Sequence, residues 1–259
     1  MNDSTAAADS SLSADGFRIA PNRVDIWTLP IQTNQQIVDT LRRTLSSDER
    51  ERALRFHADR NQHLYVAGRG ILRAILSLYV RMPAENLIFC YGIKGKPYLQ
   101  NQAGLHFNLG HSGDHAVYAV GGDNLGVDIE LIKPLQDWQR ISARFFSARE
   151  VEDLSGLDPA QQIAGFFACW TRKEAYIKAT GEGLAMGLDR FYAGANPSRA
   201  EGAIDEDGVT PRWYFKDLKL GDPYAGALVT GFQQCDIRRF NFQRTEDCII
   251  FIDEKRGAG

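Results

Sequence analysis

The chain lacks the features that would mark it as a metal-thiolate, secreted or membrane-spanning protein. Its four cysteines, Cys90, Cys169, Cys235 and Cys248, are scattered, with no Cys-x-x-Cys pair and no nearby histidine. That spacing argues against a zinc site and a disulfide framework, so reduced thiols are expected. No run of about 20 apolar residues occurs, which leaves nothing to cross a bilayer as a helix. The opening MNDSTAAADSSLSADG has no basic segment ahead of an apolar one, so no signal peptide is expected. Residues 1–16 are small and polar and are predicted to be disordered. An excess of basic charge is missing too: 30 Lys and Arg against 33 Asp and Glu give a net charge of −3. A nucleic-acid partner needs a basic surface, so none is expected, and any bound anion must be held by a local cluster of basic groups. Together these absences predict a cytoplasmic, soluble protein with no membrane partner.

What remains is an ordinary globular composition of 259 residues, 44% apolar and 24% charged. Val24, Ile26 and Leu29 suggest a first strand. Helices are predicted over 47–56 and 60–81, the second with Leu64, Ala67, Ile71, Ile75 and Leu78 at helical spacing. Short strands follow at 87–89, 105–109, 115–120 and 125–131, and Gly121-Gly122-Asp123-Asn124 reads as a hairpin turn joining the last two. Helices over 137–154 and 159–180 come next, the latter stopped by Gly181. A Gly- and Asp-rich loop over 194–210 leads to strands at 213–218, 227–232 and 248–252. The mixture predicts an α/β (α+β) fold. The chain is divided as 17–122, an N-terminal half, and 123–259, a C-terminal half.

The strand Leu125-Gly126-Val127-Asp128-Ile129-Glu130-Leu131 carries the most information. Residues two apart share a face, so Asp128 and Glu130 lie together opposite an apolar row. On the helix over 163–178, Ile163, Phe166, Phe167, Trp170 and Ile177 form an apolar stripe with Glu174 in its middle. A pair between Glu174 and Lys178, one turn on, would contribute only about 0.3–0.5 kcal/mol and does not explain a carboxylate on an apolar face. A hard cation shared by Asp128, Glu130 and Glu174 explains both oddities, and an all-oxygen site suits Mg²⁺ or Mn²⁺. Lys94, Lys96, His111, Lys173 and Lys178 add positive charge, while Gly110 and Gly113 allow close backbone approach to an anion. These residues point to a Mg²⁺-dependent enzyme acting on a phosphate ester or anhydride.

The same segments resemble the Sfp-type (surfactin-type) 4′-phosphopantetheinyl transferases over about residues 50–188. The strongest pieces are Gly126-Val127-Asp128-Ile129-Glu130 and Trp170-Thr171-Arg172-Lys173-Glu174-Ala175-Tyr176-Ile177-Lys178. Gly95-Lys96-Pro97, Phe107-Asn108-Leu109-Gly110-His111-Ser112 and Arg144-Phe145-Phe146-Ser147 with Glu150 keep the family order. The resemblance implies two similar halves in a pseudo-twofold arrangement, with coenzyme A in the cleft between them. It implies transfer of the 4′-phosphopantetheine group to a serine of apo acyl, peptidyl or aryl carrier proteins, as in fatty-acid, polyketide and nonribosomal peptide synthesis, with release of 3′,5′-ADP. Asp128, Glu130 and Glu174 match the Mg²⁺ ligands. Arg52, Lys94, Lys96 and His111 match residues that hold coenzyme A, and Lys178 matches the lysine at its pyrophosphate. Glu174, directly or through a water, is then the group that takes the serine proton. The internal pseudo-dimer makes a monomer the expected state.

Two positions depart from the family pattern. Gly110 replaces the first serine of Ser-His-Ser, and Glu49 stands where some members are basic, which is expected to weaken a phosphate contact. The segment 140–149, with Arg140, Arg144 and Arg149 among Ile141, Phe145 and Phe146, is a candidate docking helix for an acidic carrier. A different Mg²⁺-dependent phosphoryl or nucleotidyl transferase would need a phosphate-binding glycine loop of the Gly-x-x-x-x-Gly-Lys-[Ser/Thr] kind, which is missing. A non-catalytic coenzyme A or carrier-binding module would be favoured by loss of a metal ligand, and all three are retained.

Overall fold

A computed structural model describes residues 16–183, 186–205, 212–244 and 249–253. The polar segment predicted to be disordered (save Gly16), Cys248 and part of the 194–210 loop lie outside the described residues. The first strand, β1 (Arg23–Pro30), is buried along most of its length, as a strand covered on both faces must be. It sits third in a five-stranded sheet of order β11-β10-β1-β5-β4, formed with β4 (His106–Ser112), β5 (His115–Gly121), β10 (Asp236–Arg244) and β11 (Ile249–Asp253). A second sheet has the order β6-β9-β8-β7, from β6 (Leu125–Leu131), β7 (Glu201–Ala203), β8 (Tyr214–Asp217) and β9 (Tyr224–Thr230). A small hairpin pairs β2 (Phe89–Tyr91) with β3 (Pro97–Leu99).

The sheets stack face to face between two layers of helix. Val24, Ile26, Val117 and Ala119 of the first sheet meet Leu125, Val127, Ile129 and Leu228 of the second. On the outer face of the first, Trp27, Phe107, Tyr118 and Phe240 pack under α1 (Gln35–Thr44) and α3 (Asp59–Val80). On the outer face of the second, Phe215, Ala227 and Val229 pack under α6 (Pro159–Thr180). Each sheet thus carries one 22-residue helix, and the order is helix, sheet, sheet, helix.

Several sequence expectations need correction. The Gly121-Gly122-Asp123-Asn124 turn does not join a hairpin. Both edges of β5 are taken, by β1 and β4, and β6 pairs with β9 in the other sheet. The turn therefore carries the chain from one layer to the next. The helix expected over 137–154 is two helices, α4 (Trp138–Phe145) and α5 (Ala148–Ser155). Ser147 caps the second in a reciprocal box with Glu150, the Ser-x-x-Glu signature of a helix start. The strand expected at 87–89 begins instead at Phe89, after a 3-10 turn, Ala84–Asn86. Four elements escaped the sequence reading: α1, capped by Asn34, the short β3 and β7, and β10. Strand β10 runs parallel to β1, and Arg238 clasps Asp25 across that pairing at 2.6 and 2.9 Å. Because β10 and β11 return to the first sheet, the sheets do not follow a division of the chain at residue 122.

Where the two sheets meet, edge strand β4 runs beside edge strand β6 without a hydrogen-bonded ladder. Side chains substitute for it. Asn108 Oδ1 accepts from Val127 N at 3.0 Å, and Ser112 Oγ accepts from Leu131 N at 3.0 Å. Between them lies Gly110, where a Cβ would stand 3.1 Å from Asp128 Cα and 3.2 Å from Ile129 N. The glycine at this departure from the family pattern spares the strands a tight side-chain contact at their close approach.

Candidate active site

The seam brings together residues from three elements: His111 and Ser112 on β4, Asp128 and Glu130 on β6, and Glu174 and Lys178 on α6. Strand alternation puts Gly126, Asp128 and Glu130 on the face that α6 covers. At Gly126 the helix lies so close that a Cβ would fall 2.0 Å from Ala175 O and 2.4 Å from Ala179 N. That approach delivers Glu174 and Lys178 to the acidic strand. Lys178 Nζ donates to Asp128 Oδ1 at 2.7 Å and to Val127 O at 3.2 Å. It does not pair with Glu174 among the described residues. Ser112 Oγ donates to Glu130 Oε2 at 2.7 Å.

The three carboxylates are not at ease. Burial pushes Asp128 up from the usual carboxylate range, against the pull of Lys178. Burial also raises Glu130, with Ser112 working the other way and the Asp128 charge adding to the rise. Glu174 is raised by burial, then by Asp128 and Glu130, despite Lys178. Asp128 Oδ2 is sealed from solvent with no hydrogen-bond partner, a costly state for a carboxylate oxygen. Among the described residues no group of three or more His, Cys, Asp and Glu is gathered tightly enough to hold an ion as it stands. Lys178 takes up one oxygen of Asp128, and the carboxylates feel one another's charge without converging. The donor set nevertheless fits a hard cation, since it offers only oxygens and one of them is buried without a partner.

Other predicted residues are placed as follows. Arg52 and His111 line a cavity of about 240 Å³ together with Tyr65, Arg69 and Tyr91. Burial, then the Lys178 charge, lowers the His111 imidazole below its ordinary value. Lys94 is exposed and pairs with Glu182. Lys96 turns inward: its Nζ donates to Leu125 O at 3.1 Å and Ala179 O at 2.7 Å, and burial lowers it to about 8. Both lysines also line a larger cavity of about 490 Å³ beside Thr180 and Gly181. Lys173 takes no part in the seam. It is fully buried on the far side of α6, 2.7 Å from Glu150, and donates to Leu188 O and Phe191 O. Arg140, Arg144 and Arg149 are exposed while Phe146 is buried, with Ile141 and Phe145 packed beside it.

Sequence reasoning missed three residues here. Asn108 and Ser112 share the strand face of Gly110, so alternation alone could have grouped them. Arg69, with Arg73, is a pair of arginines one turn apart in the otherwise apolar second half of α3, a pattern that points to a buried charge partner.

The comparisons agree with the resemblance. Residues 31–122 match a family model described as 4′-phosphopantetheinyl transferase, N-terminal, and residues 124–229 match the 4′-phosphopantetheinyl transferase superfamily. The chain is 40% identical over 216 residues to 4′-phosphopantetheinyl transferase HetI of Nostoc sp., covering 82% of this chain and 89% of that one. It is 38% identical over 170 residues to 4′-phosphopantetheinyl transferase psf-1 of Bacillus pumilus, covering 66% and 72%. It is 33% identical over 147 residues to 4′-phosphopantetheinyl transferase Sfp of Bacillus subtilis, covering 57% and 65%. The chain belongs to the 4′-phosphopantetheinyl transferase superfamily, and with that membership it is a transferase.

Proposed function

We propose that this enzyme transfers the 4′-phosphopantetheine group of coenzyme A to a serine of an apo acyl, peptidyl or aryl carrier protein, leaving 3′,5′-ADP, in a Mg²⁺-dependent reaction. The observation that carries this reading is the partnerless buried Asp128 Oδ2 beside two further carboxylates with raised pKa values. Asp128, Glu130 and Glu174 would hold the ion, whose chemistry there is to neutralise pyrophosphate oxygens as charge gathers on the leaving phosphate. Arg52 and His111 bind coenzyme A phosphate, and Lys94 and Lys96 flank the nucleotide end. Lys178 supplies a charged donor to the leaving group. In the transfer, serine Oγ bonds to the β-phosphorus, and the bridging oxygen departs with 3′,5′-ADP. Glu174 takes the hydroxyl proton directly or through a water. The N-terminal half, 17–122, and the C-terminal half, 123–259, enclose the coenzyme A site between them, and the enzyme works as a cytoplasmic monomer, where coenzyme A and carriers meet. Arg140, Arg144 and Arg149 offer positive charge to an acidic carrier.

Intact-mass spectrometry of an apo carrier protein incubated with enzyme, coenzyme A and Mg²⁺ tests the reading. A gain of ~340 Da that EDTA abolishes is expected, the mass of the transferred group. No gain on fatty-acid, polyketide and peptide carriers alike would overturn it.

A further inference from the structure

A carboxylate offers two oxygens, and the carboxylates inside this chain use them in two ways. Glu49, expected to weaken a phosphate contact, is buried with both oxygens taken. Arg69 Nε donates to Oε1, while Arg73 Nε at 2.7 Å and Ser46 N at 3.0 Å donate to Oε2. Glu150 is closed in the same way, by Ala193 N on Oε1 and Lys173 Nζ on Oε2, each at 2.7 Å. Asp128 and Glu130 each have one oxygen taken and one left. Lys178 Nζ holds Asp128 Oδ1 at 2.7 Å, and Oδ2 is sealed in without a partner. Ser112 Oγ holds Glu130 Oε2 at 2.7 Å, and Oε1 accepts no hydrogen bond among the described residues. Glu174 accepts none at all among them, so this restriction belongs to β6.

The Ser112 bond has a fixed direction. A hydroxyl has one hydrogen to donate and two lone pairs. Leu131 N donates to Ser112 Oγ at 3.0 Å, which leaves the hydroxyl hydrogen for Glu130. The hairpin turn beyond Ser112 is anchored from both sheets. Ile31 N donates to Asp114 O at 2.7 Å, and Tyr224 Oη, from β9, donates to Asp114 Oδ1 at 2.5 Å. Two carboxylates that each present a single oxygen suit one kind of cation. Mg²⁺ demands a near-octahedral shell at about 2.0–2.1 Å, and the two oxygens of one carboxylate stand too close together to fill two of its corners. Ca²⁺, at about 2.3–2.6 Å with six to eight oxygens, readily takes a carboxylate by both.

We propose that Ser112 is a specificity-determining residue of the cation site: by occupying Glu130 Oε2 it limits Glu130 to one oxygen, as Lys178 limits Asp128, and so selects Mg²⁺ or Mn²⁺ over Ca²⁺. Ser112 acts through Glu130 and is a positioning residue. This assignment rests on the Mg²⁺-dependent reading above.

Calorimetric titration of the full chain, kept at saturating coenzyme A, with MgCl₂ and with CaCl₂ tests this. The natural enzyme is expected to bind Mg²⁺ about tenfold more tightly than Ca²⁺. Ser112→Ala should weaken Mg²⁺ by about tenfold or more while Ca²⁺ binding holds or improves, since Glu130 is then free to turn both oxygens to the ion. Ser112→Cys fills the same place with a weaker donor and should lower the Mg²⁺ to Ca²⁺ ratio by about threefold. Ser112→Thr keeps the hydroxyl and should hold the ratio within about threefold of the natural value. An unaltered ratio in the Ala and Cys variants, equal loss for both cations, or a Thr variant that falls with them would overturn the assignment. Failure of the natural enzyme to bind Mg²⁺ beside bound coenzyme A would instead sink the Mg²⁺ reading itself.

Discussion

Lys173 and Glu174 are neighbours in the chain, yet they face opposite sides of α6 and live under opposite rules. On the Lys173 side the buried charges are paired. Lys173 and Glu150 are both 0% exposed and 2.7 Å apart, and Glu150 also accepts from Ala193 N at 2.7 Å. Next to them the guanidinium of Arg172 reaches Asp217 and the carbonyls of Gly194, Asn196 and Arg199. On the Glu174 side one lysine pairs with Asp128 while Glu130 and Glu174 add their charge, and one oxygen is sealed in without a partner. A buried charge that serves the fold has its donors and acceptors satisfied. A group left short is costly to the ligand-free protein and is available to something that binds, and such groups mark functional sites.

Three changes would break or sharpen that contrast. The largest stability effect belongs to the closed side. Lys173→Met leaves Glu150 buried and unpaired and should cost about 3–5 kcal/mol in denaturant unfolding. A loss below about 1 kcal/mol would show that the pair is not the closed unit described. On the open side, Glu174→Gln should lower transfer by about 10²–10⁴-fold while leaving the fold intact. It should also raise the melting temperature of the ligand-free protein by about 2–4 °C at neutral pH, because it removes a repelled charge. The sign follows from linkage. The folded pKa of Glu174 lies above its unfolded value, so its favourable share is present below the unfolded pKa and is lost as pH rises through the folded one. The gain of the variant over the natural protein should therefore grow from about pH 4 to pH 7 in paired melting curves. A gain that shrinks over that window would refute the crowding. The smallest effect lies in the seam that aligns the two sides. Asn108→Ala strands the Val127 N–H and should cost about 1–3 kcal/mol, with kcat falling alongside because β6 is no longer pinned to β4. Unaltered stability, measured by urea titration, would show that water replaces the amide.

Much of the open side was legible in advance. Period two on β6 put Asp128 and Glu130 on one face, and the 3.6 period placed Glu174 and Lys178 one turn apart. The apolar stripe on α6 was read only in part. In its second half the helix is buried nearly all round, Arg172 and Lys173 included, so amphipathic periodicity could not show which face met the acidic strand. Gly126 decides that, by letting the helix backbone come within van der Waals reach of β6. Glu49 was misread for a related reason. A charge in the sequence looks the same whether it meets a ligand or Arg69 and Arg73, which lie 20 and 24 residues away.

The sequence by itself determined much of the local order of this protein: where most strands and helices run, which residues share a face, and that three carboxylates and a lysine stand on one strand face and one helix stripe. Periodicity and capping are short-range physics, complete within a turn or a strand. Only the tertiary structure decided which faces meet. It sent the 121–124 turn across layers, brought β10 back beside β1, pressed β4 against β6 through Asn108, Gly110 and Ser112, and turned Glu49 inward. Those choices depend on burying apolar area and satisfying polar groups between segments far apart in the chain, and no local pattern encodes the partner.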